Sequence, residues 1–266
     1  MNIGITGCAG RMGRMLVRTA VETAGVTLAG GSERADHPDL GADLGTLAGL
    51  APVGVVAEAN AEAVFAAADV VIDFTTPGLI AEHVRLARAH RTALVVGTTG
   101  LGADEDAALD AAAGDVAVVQ AANMSVGVNL LLGLTRQVAA ILDETFDIEI
   151  VEMHHRHKVD APSGTALAFG RAAAEGRSID LVANADRVRD GVTGPRQTGR
   201  IGFATLRGGD VVGEHTVVFA GEGERIELTH KATSRLIFAR GAVRAALWCA
   251  GRTPGRYDMR AVLGMA

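Results

Sequence analysis

Short apolar runs alternate with longer mixed stretches along the first half of the chain. Asn2–Thr6, Val26–Gly30, Val53–Val56, Val70–Phe74, Ala93–Val96 and Val116–Val119 read as strands. The run Val70–Phe74 (VVIDF), apolar but for Asp73, reads as a parallel strand buried on both faces. Between these runs the apolar positions take helical spacing. Met15, Leu16, Ala20 and Val21 share one face of a helix closed by Gly25, and Ala59–Ala68 predicts a small helix. Thr75-Thr76-Pro77 reads as an N-cap followed by the first helical position, opening a helix to about His90. Ala103–Ala113, closed by Gly114, is another helix, while residues 36–52 read as loop. Strand and helix alternating in this way predict an α/β fold, a doubly wound parallel sheet of Rossmann type with right-handed crossovers.

The pattern changes after residue 124. Ser125 reads as the cap of a long helix over Val126–Asp143, and Phe146–Glu152 (FDIEIVE) alternates as a strand does. Ser163 can cap a helix from about Gly164 to Ala174. Residues 176–198 are polar and charged and predict a mobile excursion. Gly199–Arg207, Glu214–Ala220 and Arg225–His230, separated by glycine-containing turns, read as an antiparallel meander. Ser234 is the expected cap of a last helix through Phe238, Val243, Leu247 and Trp248, ended by Gly251. Residues 125–233 are thus expected to form a second α+β domain on a mixed sheet. The segment 234–266 is expected to return to the first domain, 1–124. An open face of the second sheet would suit oligomer contacts.

Composition narrows the class. Apolar residues make up 48% of the chain but aromatics only 3%, so the core is aliphatic. The net charge of −6 gives no broad basic surface for nucleic acid. Two distant cysteines, Cys8 and Cys249, predict no structural disulfide and fit a reducing cytoplasm. No apolar stretch approaches the ~18 residues of a membrane span, and the first residues lack the features of a secretory leader.

Against this background two stretches carry chemistry. The first is Gly7-Cys8-Ala9-Gly10-Arg11-Met12-Gly13, between the first strand and its helix. Gly7 suits a tight turn, Gly10 lets backbone approach a pyrophosphate, and Gly13 permits close helix–strand contact. The helix N-terminus offers free N–H groups and a positive dipole end to the phosphates. About twenty residues further on, Glu33 can accept from adenosine ribose hydroxyls, and Arg34 can pair with a 2′-phosphate. The pair points to NADH or NADPH without choosing. Ligands of such sheets sit beyond the carboxyl ends of the strands. That makes Phe74-Thr75-Thr76, Gly97-Thr98-Thr99 and Ala121-Ala122-Asn123-Met124 candidate walls for a nicotinamide, with Met124 equally readable as ordinary packing.

The second stretch is Glu152–Thr165, EMHHRHKVDAPSGT. It sets His154, His155, Arg156, His157 and Lys158 just before a helix start at Ser163-Gly164-Thr165. Three histidines with Asp160 could form a metal site, but neighbouring Arg156 and Lys158 would repel a cation. The histidines could instead be surface or internally bonded groups. The third reading is an anion site with acid–base capacity, in which imidazole and ammonium groups face helix N-terminal amides. Two anion receptors so close together fit a small dicarboxylate.

The strings GCAGRMG, GTTG at 97–100, AANMSVG at 121–127, HHRHKVDAPSGTA and IGFATLRGGDVVGEHTV resemble the bacterial 4-hydroxy-tetrahydrodipicolinate (dihydrodipicolinate) reductase family over essentially the whole chain. The resemblance implies reduction of a cyclic dicarboxylate to tetrahydrodipicolinate in lysine/diaminopimelate biosynthesis, with NADH or NADPH. It implies His154 as the acid/base residue and Lys158 as a proton donor. It places His155, Ser163, Gly164 and Thr165 at the substrate. It places Gly7, Cys8, Ala9, Gly10, Arg11, Met12, Glu33, Arg34, Gly97, Thr98, Thr99, Ala121, Ala122, Asn123 and Met124 at the cofactor. Some relatives carry an aromatic residue where Met124 stands. A homotetramer built through the second domain's sheet is also implied. Closure between the domains is expected because nicotinamide and basic cluster belong to different domains. The rival enzyme class, a semialdehyde dehydrogenase, needs a catalytic thiol that neither cysteine is placed to supply. A non-catalytic dinucleotide sensor would have no use for the intact proton donors.

Overall fold

The apolar runs of the first half become strands, and the stretches between them become helices. In the computed structural model, which describes residues 1–265, the chain opens with β1 (Asn2–Thr6), α1 (Arg11–Glu22), β2 (Thr27–Ser32), α2 (Leu44–Leu47), β3 (Ala57–Glu58) and α3 (Ala61–Ala67). It continues with β4 (Val70–Asp73), a 3₁₀ turn (Pro77–Leu79), α4 (Ile80–His90), β5 (Ala93–Val96), α5 (Ala103–Ala112) and β6 (Ala117–Gln120). There follow α6 (Val126–Ile141), β7 (Asp147–His154), α7 (Gly164–Arg177), α8 (Leu181–Asn184) and β8 (Ala185–Asp186). The last elements are β9 (Ile201–Arg207), β10 (Gly213–Gly221), β11 (Glu224–Ala232), α9 (Leu236–Cys249), β12 (Gly255–Tyr257) and α10 (Met259–Val262). Two compact units result: Met1–Val126 with the chain from Arg235 on, and Gly127–Ser234.

The first unit is a parallel sheet in the order β12-β6-β5-β4-β1-β2-β3. Its strand order reverses between β1 and β4, the switch point at which such sheets open a crevice. One face buries Ile3, Ile5, Ile72 and Val119 against Leu16 and Val17 of α1 and Ala242, Val243 and Ala246 of α9. The other buries Val71, Leu94, Val96 and Val118 with Phe65, Val84, Leu86 and Leu109 from α3, α4 and α5. Contact on the α9 side is so close that a Cβ at Gly241 would lie within bonding distance of the Met124 carbonyl oxygen.

Several boundaries differ from the sequence reading. The strand expected at Val53–Val56 pairs in the sheet only at Ala57–Glu58, because the Asp43 carboxylate takes the N–H groups of Val53 and Gly54 and holds that segment in a turn. Asp43 also caps α2, giving the expected loop 36–52 a helical turn. Thr76 makes no side-chain cap, and the first turn after it is 3₁₀. The N-cap position of α9 is Arg235 rather than Ser234. Strand β12, which adds an edge beside β6, and α10 are absent from the sequence reading. β12 has only 3 residues, too few to show a period.

The second unit is a mixed sheet ordered β11-β10-β7-β9-β8. Ile148 and Ile150 of β7, Ile201 of β9 and Val217 and Phe219 of β10 form its core with Phe169, Ala173 and Ala174 of α7. The expected three-stranded meander is only the β10–β11 hairpin. β7 lies between β9, to which it is parallel, and β10, to which it is antiparallel. Alternation within a strand says which face is buried and nothing about which strand lies alongside. The connection from β9 to β10 instead wraps the end of β7, with Gly208 N–H donating to His154 O at 3.0 Å and Arg156 N–H to Gly209 O at 3.2 Å. The expected excursion 176–198 is built structure: α7 runs on to Arg177, and α8 and β8 follow. Arg196 then clamps β7, donating to Glu149, to Asp147 and to the carbonyl of Ile148.

Candidate active site

In the first unit Gly7 ends β1 with φ +68°, the left-handed region that favours glycine. Its N–H and that of Cys8 donate to Ser32 O of β2. A Cβ on Gly13 would sit 2.0 Å from Gly7 O, so α1 can start this close to β1 only with glycine there. Gly10 is the N-cap of α1, and Arg11 and Met12 form its first turn. The free donors of the turn already hold an anionic oxygen. Glu33 Oε1 accepts from Ala9 N–H at 2.9 Å and from Gly10 N–H at 3.2 Å. That carboxylate shows the turn's N–H groups converging on one negative oxygen, which is the chemistry a dinucleotide needs, so these residues fit the group. Arg34 beside it is exposed and paired with Asp36.

The strand ends differ in what they can offer. Gly97 lies under the Phe74 ring, with room for no side chain: a Cβ would be 2.2 Å from Phe74 Cζ. Thr98 is 3% exposed, and its hydroxyl donates to Asp73 at 3.1 Å, while Thr99 is exposed. Ala121 N–H bonds Val96 O, and Ala122 is exposed. Asn123 Oδ1 accepts from Ser125 N–H at 2.8 Å. The side chain of Met124 belongs to the core shared with α9. Cys8, Thr98 and Met124 therefore have enclosed side chains, and their backbone is what a ligand could meet. Burial pushes the Cys8 and Cys249 thiols up to about 12, which removes both as nucleophiles.

In the second unit the basic stretch is not uniform. β7 continues two residues beyond its expected end and places Glu152 and His154 in phase with Ile148 and Ile150, on the buried face. His155 and Lys158 are half-buried, and Arg156 and His157 exposed. His154 Nδ1 lies 2.6 Å from Glu152 Oε2. An ionised carboxylate there fixes the proton on Nδ1 and leaves Nε2 as the working nitrogen. Gly213 faces that nitrogen, and a Cβ there would stand 3.0 Å from it. Lys158 Nζ donates to Asp160 at 2.7 Å. Ser163 caps α7, accepting from Ala166 N–H, a contact typically worth ~1 kcal/mol. Gly164 follows with nothing within 4 Å of where a Cβ would be, and Thr165 is half-buried in the same first turn. Among the described residues no group of three or more His, Cys, Asp or Glu side chains is placed to hold a metal ion.

Glu152 is the hub, and sequence reading missed it along with Arg207 and His215. It is 1% exposed. Arg207 donates to both its oxygens, at 2.8 and 2.9 Å, and Ser163 N–H donates at 3.0 Å. Burial raises its pKa, but the Arg207, His154 and Ser163 hydrogen bonds outweigh burial and hold it below the usual carboxylate range. Burial lowers the His154 pKa, opposed by Glu152 and aided by the Lys158 charge. His215 crosses His154 edge-on with ring centroids 5.0 Å apart, and its Nε2 is 3.0 Å from the Ser163 hydroxyl.

Burial pushes His215 down to about 4. The unfolded chain takes up that proton near pH 6.5, so between the two values unfolding is favoured by protonation. The stability is present above pH ~6.5 and lost as pH falls towards 4, on the order of 3 kcal/mol in all. Urea midpoints at pH 7 and pH 4 should show this loss, and His215→Gln should show a smaller one. An equal loss in the variant would remove His215 as its source.

Two family models match the chain. One, described as dihydrodipicolinate reductase, N-terminus, matches residues 1–124, and one, described as dihydrodipicolinate reductase, C-terminus, matches residues 127–263. The chain belongs to the dihydrodipicolinate reductase family. It is an oxidoreductase of that family. A 4-hydroxy-tetrahydrodipicolinate reductase of Rhodopseudomonas palustris (strain BisA53) is 55% identical over 265 residues, covering 100% of this chain and 97% of the relative. One from Chelativorans sp. (strain BNC1) is 56% identical, covering 99% and 96%. Among solved structures, a dipicolinate-bound dihydrodipicolinate reductase from Paenisporosarcina sp. TG-14 superposes with a TM-score of 0.76 at 25% identity, covering 97% of each chain. The dihydrodipicolinate reductase family is thus matched on both units, the glycine turn lying in the first and the basic stretch in the second. No helix among the described residues is long and apolar enough to cross a membrane.

Proposed function

We propose that the chain reduces 4-hydroxy-tetrahydrodipicolinate to tetrahydrodipicolinate in lysine/diaminopimelate biosynthesis, with NADH or NADPH as reductant. The observation that carries the reading is the His154 ring, held through Nδ1 on a buried, arginine-paired Glu152 and followed by Lys158 and the open first turn of α7. Membership of the family supports the reaction, and the site residues give it a mechanism.

When bound, a reduced nicotinamide supplies a hydride. Ala9, Gly10, Arg11 and Met12 would hold the phosphates at the start of α1, with Glu33 giving up the Ala9 and Gly10 N–H groups it takes here, and Glu33 and Arg34 would meet the adenosine ribose. Gly97–Thr99 and Ala121–Met124 line the nicotinamide half, Thr98 and Met124 through backbone. On the second unit, Gly164 and Thr165 give one substrate carboxylate the N–H groups of α7. His155 and Lys158 face the other, and Lys158 exchanges its bond to Asp160 for one to substrate. Fixing both carboxylates orients the ring. Negative charge that develops on the ring is quenched by a proton from His154 Nε2, once the imidazole has taken a second proton and become imidazolium, with Lys158 as a further proton donor. Glu152 stabilises the imidazolium form and keeps Nε2 presented. The same reading takes the chain as a cytoplasmic homotetramer, joined through the second unit's sheet, whose edge strand β11 is exposed along most of its length.

Dicarboxylate recognition is tested by titration calorimetry with dipicolinate. Wild type should bind it, and Lys158→Met should bind at least ~10-fold more weakly, the loss of one charge-assisted bond. Equal affinity in the two proteins would contradict the assigned role of Lys158.

A further inference from the structure

The first unit contains a buried charged network that the reaction does not use. Asp73, the last residue of β4, is fully buried, and His83, in α4, is 4% exposed. His83 Nδ1 lies 2.6 Å from Asp73 Oδ2. The other oxygen, Oδ1, accepts from Thr75 N–H at 2.9 Å, from the Thr75 hydroxyl at 2.6 Å and from the Thr98 hydroxyl at 3.1 Å. Thr98 Oγ1 in turn accepts from Thr75 N–H at 3.0 Å. The carboxylate is therefore satisfied on both oxygens, and its pKa is lowered despite burial, which alone would raise it.

A carboxylate placed this deep is costly unless it does something that apolar packing would not. Its partners show what. Thr75 and Thr98 are the residues just past the ends of β4 and β5, beside the reversal of strand order where the sheet opens its crevice. Thr75 also presses on the glycine turn: a Cβ at Gly7 would meet its methyl at 3.1 Å. Phe74, between Asp73 and Thr75, lays its ring on Gly97. The ends of β4 and β5 are thus two separate backbones tied to one carboxylate, and the glycine turn lies beside the threonine that it holds. A site for a flat ring needs its walls held to within a fraction of an ångström.

We propose that Asp73 and His83 are positioning residues for the nicotinamide cofactor, fixing Thr75 and Thr98 so that the two strand ends and the glycine turn keep one binding shape. They touch no ligand themselves. The inference rests on the dinucleotide reading given above. His83 supplies the hydrogen bond that orients the carboxylate and so sets where both threonine hydroxyls point.

The test is calorimetric titration of NADH and NADPH into the full chain, with melting temperature measured beside it. His83→Phe keeps an aromatic ring against Phe65, its neighbour at 5.7 Å, but loses the donor. His83→Asn keeps a donor near the Nδ1 position. Thr98→Val removes one hydroxyl at constant volume. His83→Phe and Thr98→Val should raise the cofactor Kd at least tenfold, with dipicolinate affinity within twofold of wild type. His83→Asn should recover most of the loss. If His83→Phe does not fold, Thr98→Val decides. Unchanged cofactor Kd in Thr98→Val, or equal effects of His83→Phe and His83→Asn, overturns the proposal. Failure of wild type to bind either dinucleotide would instead overturn the dinucleotide reading itself.

Discussion

His154→Ala should lower kcat by ~10²–10⁴-fold, the usual contribution of one positioned acid, while the cofactor Kd stays within about twofold. The asymmetry follows from where the ring sits. It ends β7 in the second unit, bonded to Glu152 and crossed by His215, and the glycine turn belongs to the first unit. Truncating the ring removes the nitrogen proposed to deliver the proton and leaves the N–H groups of the glycine turn as they were. It also leaves Glu152 with Arg207 and Ser163 N–H, so the buried carboxylate keeps partners and the fold survives. Steady-state kinetics beside calorimetry separates the two effects. Loss of cofactor binding as large as the loss of turnover would make His154 a structural group.

Arg207→Met should destabilise the chain by about 3–5 kcal/mol, the cost of leaving one member of a buried ion pair without the other. Arg207 donates to both oxygens of a carboxylate that water barely reaches, and it holds the Asp160 carbonyl as well. One substitution therefore loosens the end of β7 and the loop after Lys158. Pairing it with Glu152→Gln removes the stranded charge and should recover much of the loss. Urea denaturation of the two variants gives the comparison. A single variant within 1 kcal/mol of wild type would show that Glu152 is not a charged hub.

Much of this was legible in the chain. The run at Val70–Phe74 read as a strand covered on both faces, and β4 is one. Gly7 and Gly13 stood where a turn and a close approach require them, and Ser163 announced α7. What local pattern could not supply was the identity of neighbours. Arg207 reaches Glu152, and His215 stands opposite it in the β7–β10 ladder, from strands more than fifty residues away, and no period within β7 points to them. One signal was present all the same. Counting by two from Ile148 and Ile150 puts Glu152 on the core face, and a carboxylate in that phase demands a cation. Thr98 shows the opposite case. A threonine after a glycine at a strand end reads as ligand wall, yet its hydroxyl is spent on Asp73, the last residue of β4. The order of the second sheet was out of reach for the same reason as Arg207: β9 and β10 alternate equally well beside each other or on either side of β7.

If the second unit's acid and anion receptors serve a reduction driven from the first, the chain consumes reduced nicotinamide only when substrate is present. Nicotinamide absorbance followed with purified chain, NADH or NADPH, and freshly generated 4-hydroxy-tetrahydrodipicolinate tests it most directly. The account predicts loss of absorbance that needs the substrate and that is inhibited by dipicolinate. Absorbance that stays constant with either cofactor, in a chain shown to bind both ligands, would contradict it.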